Sequence, residues 1–198
     1  MKKLKLISAA IFAFAMIQQA AIAESNVYTV ESNHASVVWF ANHFGFSNPS
    51  GKFTDISGSI TFDEANPGQS LVDVTINTNS LVTGLAKFDQ HLKSSDFFDV
   101  EKYPTAKFVS KKIKVTGKNK AKIEGHLTLH GVTKSVTLDT KFNRAGINPI
   151  SQLQTVGFSA TAVINRSEFG LDYAVPGVSD KVNLTIEIEA NIPASAKK

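Results

Sequence analysis

The chain contains no cysteine. That excludes disulfides, CxxC redox chemistry, thiolate metal centres and a lipidated N-terminal Cys, so the fold must rest on its apolar core. Arginine is nearly absent: Arg144 and Arg166 are the only two, and no cluster of them supports nucleic-acid binding. Beyond the N-terminal segment no apolar run is long enough to span a bilayer. Neither G-x-S-x-G nor H-E-x-x-H occurs. Gly45 to Lys52 resembles a phosphate loop, but five residues separate its glycines and Phe53 stands where Ser or Thr is needed. Linkers, internal repeats and low-complexity tracts are also missing, which points to one domain.

The first residues have a separate logic. Lys2, Lys3 and Lys5 precede an uncharged, mostly apolar run from Leu6 to Ile17, and Ala21-Ile22-Ala23 offers a small-x-small cleavage site. The pattern predicts a signal peptide over residues 1–23, cleaved after Ala23, with an uncleaved anchor as the rival reading. The mature domain is then 24–198, and a bacterial periplasm is its expected location. Removing the three lysines lowers the formal charge from +4 to +1 (18 basic against 17 acidic residues), so the basic pI of the whole chain says little about partners.

Alternation with a period of two dominates the rest. From Val182 to Ile192 apolar residues alternate with Asn183, Thr185, Glu187, Glu189 and Asn191. The same pattern recurs at Val72–Asn77, Lys122–Leu129 and Val136–Phe142. Such strands have one dry and one wet face, as in antiparallel sheets. The expected strands lie near 27–31, 36–44, 51–63, 70–78, 105–116, 120–130, 133–143 and 153–164, with 181–192 as a ninth or closing member. Turns are expected at Asn66-Pro67-Gly68, Gly117-Lys118-Asn119 and Asn148-Pro149, and a tight hairpin at His130-Gly131. The class is all-β. Periodicity alone leaves barrel and sandwich open.

One stretch departs from the alternation: KFDQHLKSSDFFDVEKYPTAK, residues 87–107. Leu85, Phe88 and Leu92 fall on one helical stripe with His91 beside it, and Asp89 and Lys93 have the spacing of an ion pair. Asp96 is placed to cap a second short turn through Phe97 and Phe98, and Pro104 ends the segment. A plug for the core, a lid over a ligand and an active site all fit this composition.

The five His residues invite a metal reading. His126 and His130, four apart on a strand, are separated by about 13 Å, too far to share one ion. His34, His43 and His91 come without clustered carboxylates to select a metal. Phe44, Phe46, Phe88, Phe97, Phe98, Phe169 and Tyr173 lie outside mid-strand positions. Loops that carry so much apolar surface must bury it, against the barrel end or against an apolar ligand.

The stretches HASVVWFANHFGFSNPSGKF (34–53), FDQHLKSSDFFDVEKYPTAKF (88–108), GHLTLHGVTKSVTL (125–138) and NRSEFGLDYAVPGVSDKVNLTIEIEA (165–190) resemble the YceI family of periplasmic, lipocalin-like proteins. Trp39 stands where that family more often has Phe, and Ala41 where Ile or Val is common. The resemblance implies an eight-stranded antiparallel barrel with a short helical insert, whose apolar interior binds a long isoprenoid of the quinone or polyprenyl phosphate type. Some relatives hold other amphiphiles such as fatty amides. No enzymatic activity, cofactor, metal or stable membrane anchor comes with it, and a homodimer is left open. A stress-response or redox accessory role through a bound quinone is the alternative, followed by a ligand-free interaction module. By parity and resemblance together, the expected ligand-binding residues are Val37, Trp39, His43, Phe53, Ile60, Phe62, Val74, Ile76, Phe88, His91, Leu92, Phe97, Phe98, Phe108, Leu127, Leu129, Phe158, Phe169 and Tyr173, with Ala41 on the same inward face. His91 or Tyr173 would read the headgroup at the mouth.

Overall fold

The structure, a computed structural model, describes residues 25–194; the expected signal peptide and its cleavage after Ala23 lie outside the described residues. Strands dominate: β1 (Asn26–Val30), β2 (Ser36–His43), β3 (Ser50–Phe53), β4 (Ile56–Phe62), β5 (Leu71–Asn77), β6 (Leu81–Val82), β7 (Thr105–Gly117), β8 (Lys120–Leu129), β9 (Val132–Ile147), β10 (Gln154–Asn165) and β11 (Val178–Asn191). One α-helix, α1 (Ala86–Lys93), stands between β6 and β7. Every pairing is antiparallel, and β1 pairs with both β4 and β11. That double pairing closes the ring β1-β4-β5-β7-β8-β9-β10-β11, an eight-stranded barrel. Closure removes the free edges that a sandwich would leave, which decides the question periodicity left open.

The remaining strands extend one end of the barrel. A 3₁₀ turn at Ser32–His34 bends the chain between β1 and β2, and β2 continues along β11, pairing Leu184 with Trp39 and Ile186 with Val37. The expected strand 51–63 is in fact two, divided at Thr54-Asp55: β3 pairs with β2, and β4 with β1. β6 pairs only with β3 and leaves a gap before β7. The insert connects β6 to β7 along the chain. Its return is anchored at Thr78, whose amide donates to Pro104 O (3.0 Å) and whose hydroxyl donates to Tyr103 O (2.7 Å).

The turns follow local chemistry. His130 and Gly131 take φ of 51° and 75° and form the two-residue link between β8 and β9. Positive φ at both positions matches the right-handed twist of the strands. Two bulges, between Ser110 and Lys112 on β7 and beside Gly157 and Phe158, re-aim the strands. At the first, the buried Ser110 hydroxyl accepts the Val72 amide at 2.8 Å.

The insert differs from expectation in two contacts. Asp89 does not face Lys93; its Oδ1 accepts from the Thr83 amide (2.7 Å) and hydroxyl (2.5 Å), fastening the helix start to the end of β6. Two close donors on one oxygen outcompete a solvated lysine. Leu85 precedes the helix and is exposed, so the buried stripe consists of Phe88 and Leu92. Asp96 pairs instead with His91, Oδ2 to Nε2 at 3.0 Å, while its amide meets Ser94 Oγ at 3.4 Å.

Candidate ligand-binding site

Inward parity on successive strands builds the interior. β5 contributes Val72, Val74 and Ile76; β8 contributes Ile123, Gly125, Leu127 and Leu129; β10 contributes Ala160, Ala162 and Ile164. Two cavities lie within it. The upper one, about 390 Å³, is bounded by the inner ends of β2, β3 and β11, by the insert, and by the loop after β10. The lower one, about 290 Å³, reaches the opposite end near Glu64, Pro67, Lys118 and Lys120.

Thirteen of the expected site residues line the upper chamber: Val37, Trp39, His43, Phe53, Ile76, Phe88, His91, Leu92, Phe97, Phe98, Leu127, Leu129 and Tyr173. Ala41 joins them. Ile60, Phe62 and Phe158 line the lower chamber instead. Phe62, Phe142 and Phe158 form an aromatic triangle there, with centroids 5.3–5.5 Å apart. Val74, Phe108 and Phe169 line neither cavity; all three are buried packing residues. Phe169 is 1% exposed and locks the loop after β10. Its carbonyl lies 3.2 Å from His130 Nδ1, and the His130 ring packs tilted against Tyr103 at 4.2 Å, so that histidine serves packing.

A waist divides the two chambers. On β5, Val74 lies between Ile76 (upper) and Val72 (lower); on β8, Gly125 lies between Leu127 and Ile123; on β10, Ala162 lies between Ile164 and Ala160. Phe108 belongs to this level, paired with Val74 on one side and Leu127 on the other. Its Cζ stands 2.4 Å from where a Cβ on Gly125 would be, so the ring occupies the space that glycine leaves open.

The roof is aromatic. Phe88 meets Trp39 edge-on at 6.4 Å, and Phe98 meets Phe53 edge-on at 5.3 Å. At the mouth His91, Phe97 and Tyr173 contact one another with centroids 5.1–5.5 Å apart. The underside of the insert is therefore chamber wall.

Sequence reasoning missed Arg166. It is buried, borders the upper chamber, and donates to Ser179 O (3.0 Å), Leu171 O (2.5 Å) and Val178 O (2.9 Å). Burial pushes its pKa below the ordinary arginine value, with Asp180 and Asp172 acting in the opposite direction. The rarity of Arg166, one of two arginines in the chain, just ahead of Gly170, was the available signal. Among the described residues, two buried side-chain atoms have no hydrogen-bond partner: Trp39 Nε1, on an upper-chamber residue, and Thr140 Oγ1, on a lower-chamber residue. Among the described residues no group of three or more His, Cys, Asp or Glu is arranged to hold a metal.

A family model described as a YceI-like domain matches residues 28–190. The chain belongs to the YceI family. A UPF0312 protein of Pseudomonas putida is 43% identical to this YceI chain over 160 residues, 80% of this chain and 82% of the relative. Among solved structures, Burkholderia cenocepacia BcnA superposes on the YceI barrel with a TM-score of 0.74 at 26% identity, covering 81% of this chain and 99% of that one. A Saccharophagus degradans protein described as a polyisoprenoid binding domain implicated in plant cell wall breakdown shares the fold, with a TM-score of 0.65 at 13% identity over 84% of this chain and 98% of that one.

Proposed function

We propose that this YceI-family barrel sequesters the tail of an isoprenoid lipid in its upper chamber and acts as a periplasmic carrier for it. The observation that carries this reading is the 390 Å³ chamber whose wall is almost wholly apolar side chains, roofed by Phe88, Leu92, Phe97 and Phe98 of the insert. A methylene moved out of water contributes about 0.8 kcal/mol, so each isoprene unit gives on the order of 3 kcal/mol gross. Chain ordering and lost freedom offset part of that. The tail supplies the affinity, and the polar atoms decide only which head is preferred. The wall holds no nucleophile with an adjacent base, which favours binding over catalysis. The family membership and the description of the Saccharophagus protein support an isoprenoid as the tail class.

The deciding experiment is organic extraction and mass spectrometry of protein purified from its native host. A prenyl lipid in near-stoichiometric amount is the expected result. Protein that emerges empty, and takes up no prenylated compound on titration, overturns the proposal. Cell fractionation with N-terminal sequencing tests the location: a periplasmic protein beginning at Glu24 is expected, and retention in the cytoplasm removes the carrier role.

A further inference from the structure

Charge is spread unevenly over this barrel. Residues 24–198 carry 18 basic and 17 acidic side chains, yet six of the twelve residues from Lys111 to Lys122 are lysine and none is acidic. All six are exposed, on the lower half of the β7–β8 hairpin and its turn. Lys141 on β9, also exposed, adds a seventh beside Lys120.

Strand register sets like charges opposite each other: Lys114 faces Lys122, and Lys120 faces Lys141. Such pairs are destabilising. Lysine on an edge strand deters unwanted pairing, but Lys120, Lys122 and Lys141 lie where their strands are paired on both sides. Lys122 reaches Asp139 at 2.6 Å, and Lys112 stands opposite Glu124. Lys114, Lys120 and Lys141 have no carboxylate opposite them. Neither the fold nor edge protection accounts for this face, whereas an anionic partner does.

The kind of partner follows from what lies inside the patch. Lys118 and Lys120 rim the lower chamber, with Glu64 as the carboxylate of that rim. Val115 lines the same chamber and is 49% exposed. An apolar opening ringed by lysines matches a bilayer surface, which offers anionic headgroups with hydrocarbon beneath. An acidic protein would meet the lysines but not the open apolar mouth. Single-stranded nucleic acid would find no stacking platform, since no Phe, Tyr or Trp occurs from Val109 to Lys141.

We propose that the lysine face of the β7–β8 hairpin docks the barrel reversibly on an anionic bilayer surface, with the lower mouth turned toward the headgroups. Docked so, the aromatic mouth at His91, Phe97 and Tyr173 faces away from the bilayer. The inference goes beyond the lipid-binding reading and stands without it, because it concerns the outer surface. Each lysine near such a surface strengthens binding about fivefold, and salt screens the attraction.

The test is co-sedimentation of protein purified from its native host with vesicles, no prenyl compound being added. Wild-type protein should bind vesicles of phosphatidylglycerol and phosphatidylcholine, leave them as salt rises, and ignore phosphatidylcholine alone. Lys114→Glu combined with Lys120→Glu should weaken binding at least about twentyfold. It should also leave the melting temperature equal to wild type or higher, since both ladder positions then hold opposite charges. Lys52→Glu combined with Lys181→Glu makes the same change in net charge on exposed lysines of β3 and β11, and should stay within about twofold of wild type. Lys118→Glu in the turn alters no ladder pair; it should weaken binding about fivefold or more, and decides the matter if the first double variant fails to fold. Equal weakening by the two double variants reports net charge alone and overturns the proposal. So does failure of the wild type to bind anionic vesicles at low salt, or equal binding to both vesicle types. None of these outcomes bears on the chamber, whose lipid is tested separately by extraction.

Discussion

The Phe108 ring rests on Gly125: a Cβ there would lie 2.4 Å from Phe108 Cζ, 2.6 Å from Val109 O and 2.7 Å from Phe108 Cε2. Strand register makes this contact, since Phe108 is paired with Leu127 and Gly125 with Ser110 on the adjoining strand. The ring is the waist of the barrel, with a chamber on either side.

Phe108→Ala should join the chambers. The ring limits how long a tail the upper chamber, about 390 Å³, can take. Wild-type affinity for a series of prenyl alcohols should therefore rise with length and then flatten, and Phe108→Ala should move the plateau to longer tails. The variant should lose about 3–5 kcal/mol of stability in denaturant titration. An unchanged plateau would show that the ring already yields to the ligand.

Gly125→Ala should destabilise the fold by about 1–3 kcal/mol, because the methyl group meets both the ring and a backbone carbonyl. Combining it with Phe108→Ala should recover only part of that loss, since Val109 O remains in place. Full recovery in a double-mutant cycle would locate the whole strain in the ring.

Phe98→Asp tests the insert as chamber wall. Phe98 is half-buried and borders the chamber against Phe53, close enough to solvent for a carboxylate to reach water. Retention of a prenyl lipid should fall at least about tenfold, as a wall that desolvates a tail tolerates charge poorly. The melting temperature should fall only modestly. Equal loss of both would reduce the insert to a plug.

Arg166→Met removes three donors from the carbonyls of Leu171, Val178 and Ser179. Buried carbonyls left without partners should cost on the order of 3 kcal/mol or more. Arg166→Lys should rescue little, because an ammonium lacks the planar fork that serves all three. Leu171 and Val178 border the chamber, so lipid dissociation should accelerate in both variants, measured by competition kinetics.

Glu31 gives an acid-side signature. Burial opposes its ionisation, but hydrogen bonds from His34 and Asn33 outweigh this and hold its pKa below the ordinary 4.5. A lowered folded-state pKa means the contribution is complete above the unfolded value and is lost as pH falls through the folded one. Glu31→Gln should therefore lose stability at neutral pH and show a flatter acid limb below about pH 4.5, measured by urea titration across that range. An acid limb identical to wild type would remove Glu31 from the account.

Much of the barrel was legible because a strand reports its own dry face. Val182 to Ile192, Lys122 to Leu129 and the His130-Gly131 hairpin stand as alternation and turn chemistry imply. The stripe of Phe88 and Leu92 likewise marked the buried side of α1. The Asp89–Lys93 pair failed because helical spacing cannot see Thr83 approaching from the preceding strand. Val74 and Phe108 read as cavity wall because parity separates inside from outside but not wall from filling.

By itself the sequence determined which residues face inward, where the chain turns, and that an aromatic, helical insert interrupts the sheet. These are properties of neighbours two to four residues apart. Tertiary structure alone decided that β1 reaches both β4 and β11 to close the ring, that Phe108 meets Gly125 at a waist, and that the Trp39 ring lies against Gly51. Each depends on residues far apart in the chain arriving at one level of the barrel. Register and bulges set that level, and no local pattern of side chains records it.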